Sequence, residues 1–276
     1  MRHACLGLAF LAACAPAEDN AAPPPPGTRA ETAPRAANGH PPPGEEAPLS
    51  SVSVVQIERD VWLHASEKFV APYGLIVTHG LVVADEDGVW LIDTAWTDEQ
   101  TERLLRLAEA ATGRQVTHAV ATHAHDDKIG GMAALREAGV DTYALDMTNE
   151  AATGRGLSPA EADLSANPDG TVPLPDGTPG GIEVFYPGPG HTPDNVVVAV
   201  PNAGVLFGGC LIRPGASRSL GNTDDADIDA WASSVRAAAA RYPDARIVVP
   251  SHGAPSGRSL LDHTIVLAEA ARAQTP

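Results

Sequence analysis

From about residue 51 onward the chain alternates short apolar runs with turns, and four of those runs are followed by a potential ligand. Val52, Val54 and the run 57–63 read as opening strands, and 69–74 reads as a turn. Runs 75–77, 80–84 and 89–92 follow as short strands separated by turns such as Asp87-Gly88. The period then lengthens. Thr97 with Gln100 fits a capping box, and Leu104, Leu105, Leu107, Ala108 and Ala111 keep a helical stripe until Gly113 stops it. A strand over 116–121, a turn at Gly130-Gly131, a helix over 132–138 and a strand near 141–144 come next, then a Gly/Pro-rich loop to about Gly181. The second half repeats the order: strands at 182–186, 196–200 and 205–207, a helix at 229–241, a strand at 247–249 and a closing helix at 259–272. Strand runs followed by helices in each half predict an α/β protein. Its architecture would be an αβ/βα sandwich, two central β-sheets flanked by helices.

The first strand end with chemistry is Thr122-His123-Ala124-His125-Asp126-Asp127-Lys128. In extended or tightly turned chain, residues two apart face the same way, so His123, His125 and Asp127 can converge. Imidazole and carboxylate both bind zinc. Alone, the stretch reads equally as a polar loop with two chance histidines. His191 then follows one strand, Cys210 another and His252 a third. Singly, each is a hydrogen-bonded loop histidine or a packed thiol; together, after four strand ends, they point to metal. Six ligands fit two zinc ions with three protein ligands each, which leaves positions open for water as in catalytic sites. Sorting by softness puts Cys210 with Asp127, so one site has three histidines and the other Asp, Cys and His. A hydroxide between them would be a nucleophile near neutral pH.

Composition narrows the partners. The 276 residues carry a net charge of −17, from 35 acidic and 18 basic residues. That balance argues against nucleic acid, whose binding draws on basic patches. Aromatics make up only 4%, so aliphatic side chains must fill the core. Residues 1–13 read as an export signal ending in Leu11-Ala12-Ala13-Cys14, which resembles a bacterial lipobox with Cys14 as the lipidated terminus. Cleavage near Ala15 or Ala17, or no processing, are the alternatives. Residues 14–50, with two proline runs, read as a tether, and 51–276 as the folded domain. The expected partner on this side is a membrane, through the lipid anchor only. Ala15 after the cysteine places the domain, by resemblance, in the periplasm on the inner face of the outer membrane.

His123-Ala124-His125-Asp126-Asp127, Gly190-His191-Thr192, Gly208-Gly209-Cys210 and Ser251-His252-Gly253 resemble the motifs of subclass B1 metallo-β-lactamases. Ile92-Asp93-Thr94-Ala95-Trp96-Thr97-Asp98, Phe185-Tyr186-Pro187-Gly188-Pro189-Gly190-His191 and Leu220-Gly221-Asn222 look most like the New Delhi type. In the wider superfamily a histidine follows the motif aspartate and an aspartate replaces the cysteine; here Lys128 and Cys210 stand there. The resemblance implies the metallo-β-lactamase fold and a zinc-dependent β-lactamase that opens the ring of penicillins, cephalosporins and carbapenems by a zinc-bound hydroxide; nothing in the sequence constrains the oligomeric state, and monomer is the default. It implies two zinc ions, one on His123, His125 and His191, the other on Asp127, Cys210 and His252. Asp127 would orient the hydroxide, and Asn222 would stabilise the oxyanion. Arg213, where many relatives carry Lys, would bind the substrate carboxylate. Phe69 and Tyr73, in the loop that covers the substrate in this family, would contact its side chains. Plainer readings stand beside these: a surface charge for Arg213, a turn for Asn222, packing on their own sheet for Phe69 and Tyr73. The alternatives in function are another zinc hydrolase of the fold, acting on a thioester, lactone or phosphodiester, and a non-catalytic zinc-binding lipoprotein. His79 departs from the usual Asn without an evident reason. His64, His118 and His263 read as structural, and Asp93, Asp126, Trp96 and Lys128 as supports of the ligands or packing residues.

Overall fold

The computed structural model describes residues 51–274. The export signal, the tether and Cys14 lie outside the described residues. In chain order the elements are β1 Val52–Glu58, β2 Val61–Val70, β3 Gly74–Ala84, β4 Val89–Ile92, α1 Asp98–Thr112, β5 His118–Val120, α2 Asp126–Ile129 and α3 Met132–Glu137. Next come β6 Asp141–Leu145, α4 Asp146–Gly154, β7 Ala162–Leu164, β8 Thr171–Val172 and β9 Glu183–Phe185. The rest are β10 Val197–Val200, β11 Val205–Gly209, α5 Ile228–Arg241, β12 Ile247–Pro250 and α6 Ser259–Arg272.

Two sheets result. A seven-stranded sheet runs β1 to β7 in sequence order, and a five-stranded sheet runs β12-β11-β10-β9-β8. In the first, β1 to β4 pair antiparallel and β4 to β7 parallel. Side-chain alternation decides what each face buries. In β4, Trp90 and Ile92 face the second sheet, joining Leu81, Val120, Val198, Phe207 and Val249 in the central core. Val89 and Leu91 face the other way, onto Leu104, Ala108, Met132 and Leu135 of the first helical layer. On the outside of the second sheet, Val197, Leu206 and Val248 meet Trp231, Val235, Leu260 and Leu261 of α5 and α6. This is the expected αβ/βα sandwich.

Three local expectations need correction. The runs before and after Thr78-His79 form one 11-residue strand, β3, because this polar pair continues the pairing with β2. Phe69 and Val70 belong to β2, so the turn is shorter than expected. The supposed loop before Gly181 contains α4, β7 and β8; the Thr/Asn/Gly content of α4 hides its helical stripe. The Thr97 cap is present, its side chain accepting from the Gln100 N–H, but Gln100 Oε1 returns to the Trp96 N–H.

Gly80 ties the strands to the site. A Cβ there would lie 2.1 Å from His64 Nε2 and 2.2 Å from the Ile92 carbonyl. Buried His64 in turn reaches the carbonyls of Ile92 and Asp93, each at 3.1 Å. Backbone cannot withdraw as a flexible side chain can, so Gly80→Ala is expected to destabilise the domain by about 1–3 kcal/mol. The urea midpoint reads this directly; an unchanged midpoint would contradict it.

Candidate metal centre and substrate cleft

All six candidate donors gather at one end of the sandwich, where β5, β11 and β12 finish. They form overlapping groups: His123, His125 and Asp127; His123, His191 and Cys210; Asp127, Cys210 and His252. Within each group the donor atoms lie within 4.8 Å of one another. Of the two conformations considered, the tightly turned one is found: His125 caps a four-residue helix, α2, and its first turn brings Asp127 round.

Hydrogen bonds fix which ring atoms face inward. His125 Nε2 donates to Asp225 Oδ2 at 2.9 Å, which leaves a lone pair on Nδ1. Asp93 holds the Thr122 N–H at 2.7 Å and the Thr122 hydroxyl at 3.0 Å. That hydroxyl is thereby free to accept from His123 Nδ1 at 3.3 Å, a tautomer that leaves the lone pair of His123 on Nε2. His252 Nδ1 donates to the Val77 carbonyl at 2.8 Å. Its Nε2 then faces Cys210 Sγ at 3.6 Å and Asp127 Oδ2 at 3.5 Å. His125 Nδ1 lies 3.2 Å from His123 Nε2 and 3.1 Å from His191 Nε2. Two bare nitrogens this close repel unless a cation lies between them. The donor set therefore fits metal, and its N, S and O chemistry fits zinc.

Beneath the donors lies a buried charge network. Lys128 is fully buried and donates to Thr78 Oγ1 at 2.5 Å and to the His79 carbonyl at 3.1 Å. Its Nζ lies 3.2 Å from Asp127 and 3.6 Å from Asp93. Burial opposes its charge, but Asp127, Cys210 and Asp93 outweigh burial and raise its pKa. Burial also acts against ionised Cys210, yet Lys128 and the surrounding histidines hold the thiol well below its ordinary value, as a thiolate ligand requires. For Asp93 burial wins, and its pKa rises to about 7. His79, unexplained from sequence, joins β3 to the turn that carries His252 twice: its N–H donates to the Ser251 carbonyl at 2.7 Å, and its Nδ1 meets the Pro250 carbonyl at 3.3 Å.

Over the donors opens a cavity of about 840 Å³, lined by Tyr73, Leu75, Val77, Trp96, Arg155, Arg213, Asn222 and Asp225 among others. Arg213 is largely buried, burial lowers its pKa, and its Nε has no hydrogen-bond partner among the described residues. Gly221 makes room for it, since a Cβ there would lie 2.9 Å from the guanidinium. Asn222 Oδ1 accepts from the Asp224 N–H at 3.1 Å, so the turn reading holds for that atom while the amide N–H groups remain for a ligand. Tyr73 lines the cleft at the hairpin tip. Phe69 does not: it is 73% exposed and outside the lining residues, whereas its β2 neighbour Val70 lines the cleft.

Of the residues read as structural, His64 sits in the core, His118 stacks on Tyr143, and His263 bonds the Ser217 carbonyl. Sequence reasoning missed Asp225 and Arg155. Asp225 stands in the run Asp224-Asp225-Ala226-Asp227, where nothing distinguishes it from a surface acid. Arg155 ends the helix that went unread. A partner that fixes a ligand's tautomer typically contributes 10–100-fold to metal affinity. Asp225→Asn is accordingly expected to weaken the tightest zinc by about that factor in a competition titration with a chromogenic chelator. An unchanged affinity would remove Asp225 from this role.

Residues 73–252 match the family described as the metallo-beta-lactamase superfamily. A metallo-beta-lactamase type 2 from Bacillus cereus is 36% identical over 217 residues, covering 79% of this chain and 82% of that protein. Among solved structures, a metallo-beta-lactamase from Erythrobacter litoralis with beta-mercaptoethanol in its active site superposes with a TM-score of 0.77. It is 42% identical and covers 79% of this chain and 96% of that one. FIM-1 from Pseudomonas aeruginosa, in a mono-zinc form, gives 0.75 at 44% identity, covering 80% and 96%.

Proposed function

Because this chain belongs to the metallo-β-lactamase superfamily, we propose that its cleft opens the β-lactam ring of antibiotics by zinc-dependent hydrolysis and so confers resistance. The observation that carries this reading is the facing pair of bare imidazole nitrogens beside the Asp127, Cys210 and His252 group. We assign one zinc to His123, His125 and His191 and a second to Asp127, Cys210 and His252. When bound, zinc supplies a Lewis acid and lowers the pKa of its water to about 7. The rest is done by the chain. Arg213, a buried fork without a carboxylate partner among the described residues, receives the acid group that β-lactams carry beside the ring. The Asn222 amide donates to the carbonyl oxygen as charge gathers there. Tyr73, Leu75 and Val77 cover the apolar parts of the substrate, and Asp127 orients the attacking water.

Lys128 after Asp127, and Cys210 where an aspartate would bridge, support subclass B1, and the longer motif runs support a New Delhi-like member. The same proposal has the domain act as a monomer in the periplasm, held to the outer membrane by lipidated Cys14. Loss of labelled fatty acid from a Cys14→Ala variant would support the anchor; no labelling of the wild type would refute it. The hydrolysis itself is tested with a chromogenic cephalosporin and a carbapenem. Turnover by the zinc-loaded protein should vanish with chelator and return with zinc, and a folded, zinc-loaded protein without turnover would refute it.

A further inference from the structure

The cleft holds one more cation than ring opening needs. Its carboxylates are already engaged: Asp126 by Lys68 at 2.7 Å, Asp127 by Thr78 at 2.8 Å and Lys128, and Asp225 by His125. Arg213 serves the ring carboxylate in the reading above. Arg155 remains. It caps the C-terminus of α4, and its side chain is 40% exposed at the cavity wall. Its only ion-pair partner among the described residues is Asp225 Oδ2, at 3.1 Å. That oxygen also accepts from His125 Nε2 at 2.9 Å, so its charge is divided between two donors. A guanidinium has five N–H donors in a planar fork matched to a carboxylate. One atom of this fork meets Asp225, and the remaining donors are available to a ligand in the cleft.

The two guanidinium groups serve different parts of the cleft. Arg213 follows Cys210 by three residues and lies against Gly221, whereas Arg155 stands behind His125 through Asp225. A substrate held at Arg213 by its ring acid would present other substituents toward the His125 side. We propose that Arg155 is a specificity-determining residue that favours β-lactams carrying a second carboxylate on the side chain, in addition to the ring carboxylate. This inference rests on the hydrolase reading above. A purely structural Arg155, needed only to hold Asp225 on His125, would affect every substrate alike, since it would act through the metal ligand.

The experiment uses the zinc-loaded full chain and two cephalosporins that share a nucleus and leaving group, one with a neutral side chain and one with a side-chain carboxylate. The readout is the ratio of their kcat/KM values, with KM and kcat measured separately. In Arg155→Gln that ratio should fall about five- to tenfold, the size of a partly exposed carboxylate pair, with the change in KM. Arg155→Lys should keep part of the preference, because charge remains while the fork is lost. Raising the salt concentration should narrow the wild-type ratio toward that of Arg155→Gln. An unchanged ratio in Arg155→Gln, whether both substrates suffer together or neither does, would overturn the inference and leave the hydrolase reading intact. Absence of turnover of either substrate by the wild type would overturn both.

Discussion

Replacing Lys128 with methionine should cost the metal-free domain about 3–5 kcal/mol, the loss expected when one member of a buried charge pair is removed. The ammonium has no exposed surface, and it sits within 3.6 Å of two carboxylates and within hydrogen-bond reach of Thr78 and the His79 carbonyl. Methionine fills much of the same space but leaves Asp127 without its cation and the His79 carbonyl without its donor. At roughly 2–4 °C per kcal/mol for a domain of this size, the melting temperature should fall by on the order of 10 °C. Zinc on Asp127 and Cys210 would supply positive charge where the lysine was lost, so the deficit should shrink in the loaded protein. A metal-free Lys128→Met variant as stable as the wild type would show that the network is not needed to hold these ligands.

Zinc itself provides the other large effect. The bare nitrogens of His123 and His125, 3.2 Å apart, are a native-state cost that a cation converts into binding energy. A ligand held only by the folded state stabilises it by about 4 kcal/mol when free ligand is 1,000 times its dissociation constant. Adding zinc to the metal-free wild type should therefore raise the melting temperature by on the order of 10 °C, and excess chelator should remove the gain. Equal melting temperatures with and without chelator would mean that these donors do not bind metal in the native state. In the cell such coupling makes the amount of folded enzyme depend on the metal supply.

Much of this architecture is legible in the residues because its parts obey local rules. The alternation in β4 and the stripe of α1 each name the face that is buried, and together they define two helical layers around two sheets. The six donors are legible because each follows a strand end, where the fold collects them. What escaped reading depends on tertiary context. For Asp127 the sequence leaves extended and tightly turned chain open, because the one-turn helix through which it converges is too short to leave a period. α4 lacks a clear apolar stripe, and with it Arg155 was lost. Asp225 gains its role only from the distance to His125, which a run of acids does not encode. The sequence offers Phe69 and Tyr73 together as substrate contacts, yet of the two only Tyr73 lines the cleft, with Val70 beside it. Arg213 shows the opposite case: a charge three residues past a ligand is ambiguous in sequence, and its burial, with Nε unpartnered among the described residues, speaks against the surface-charge reading.

One cleft with two metal sites of different donor sets is the centre of this proposal. The most direct measurement is the zinc content per chain after dialysis against trace free zinc, for the wild type and for Cys210→Ser. Two zinc ions are expected in the wild type and one in the variant, the ion on the three histidines surviving. One ion in the wild type, or two in both proteins, would contradict it.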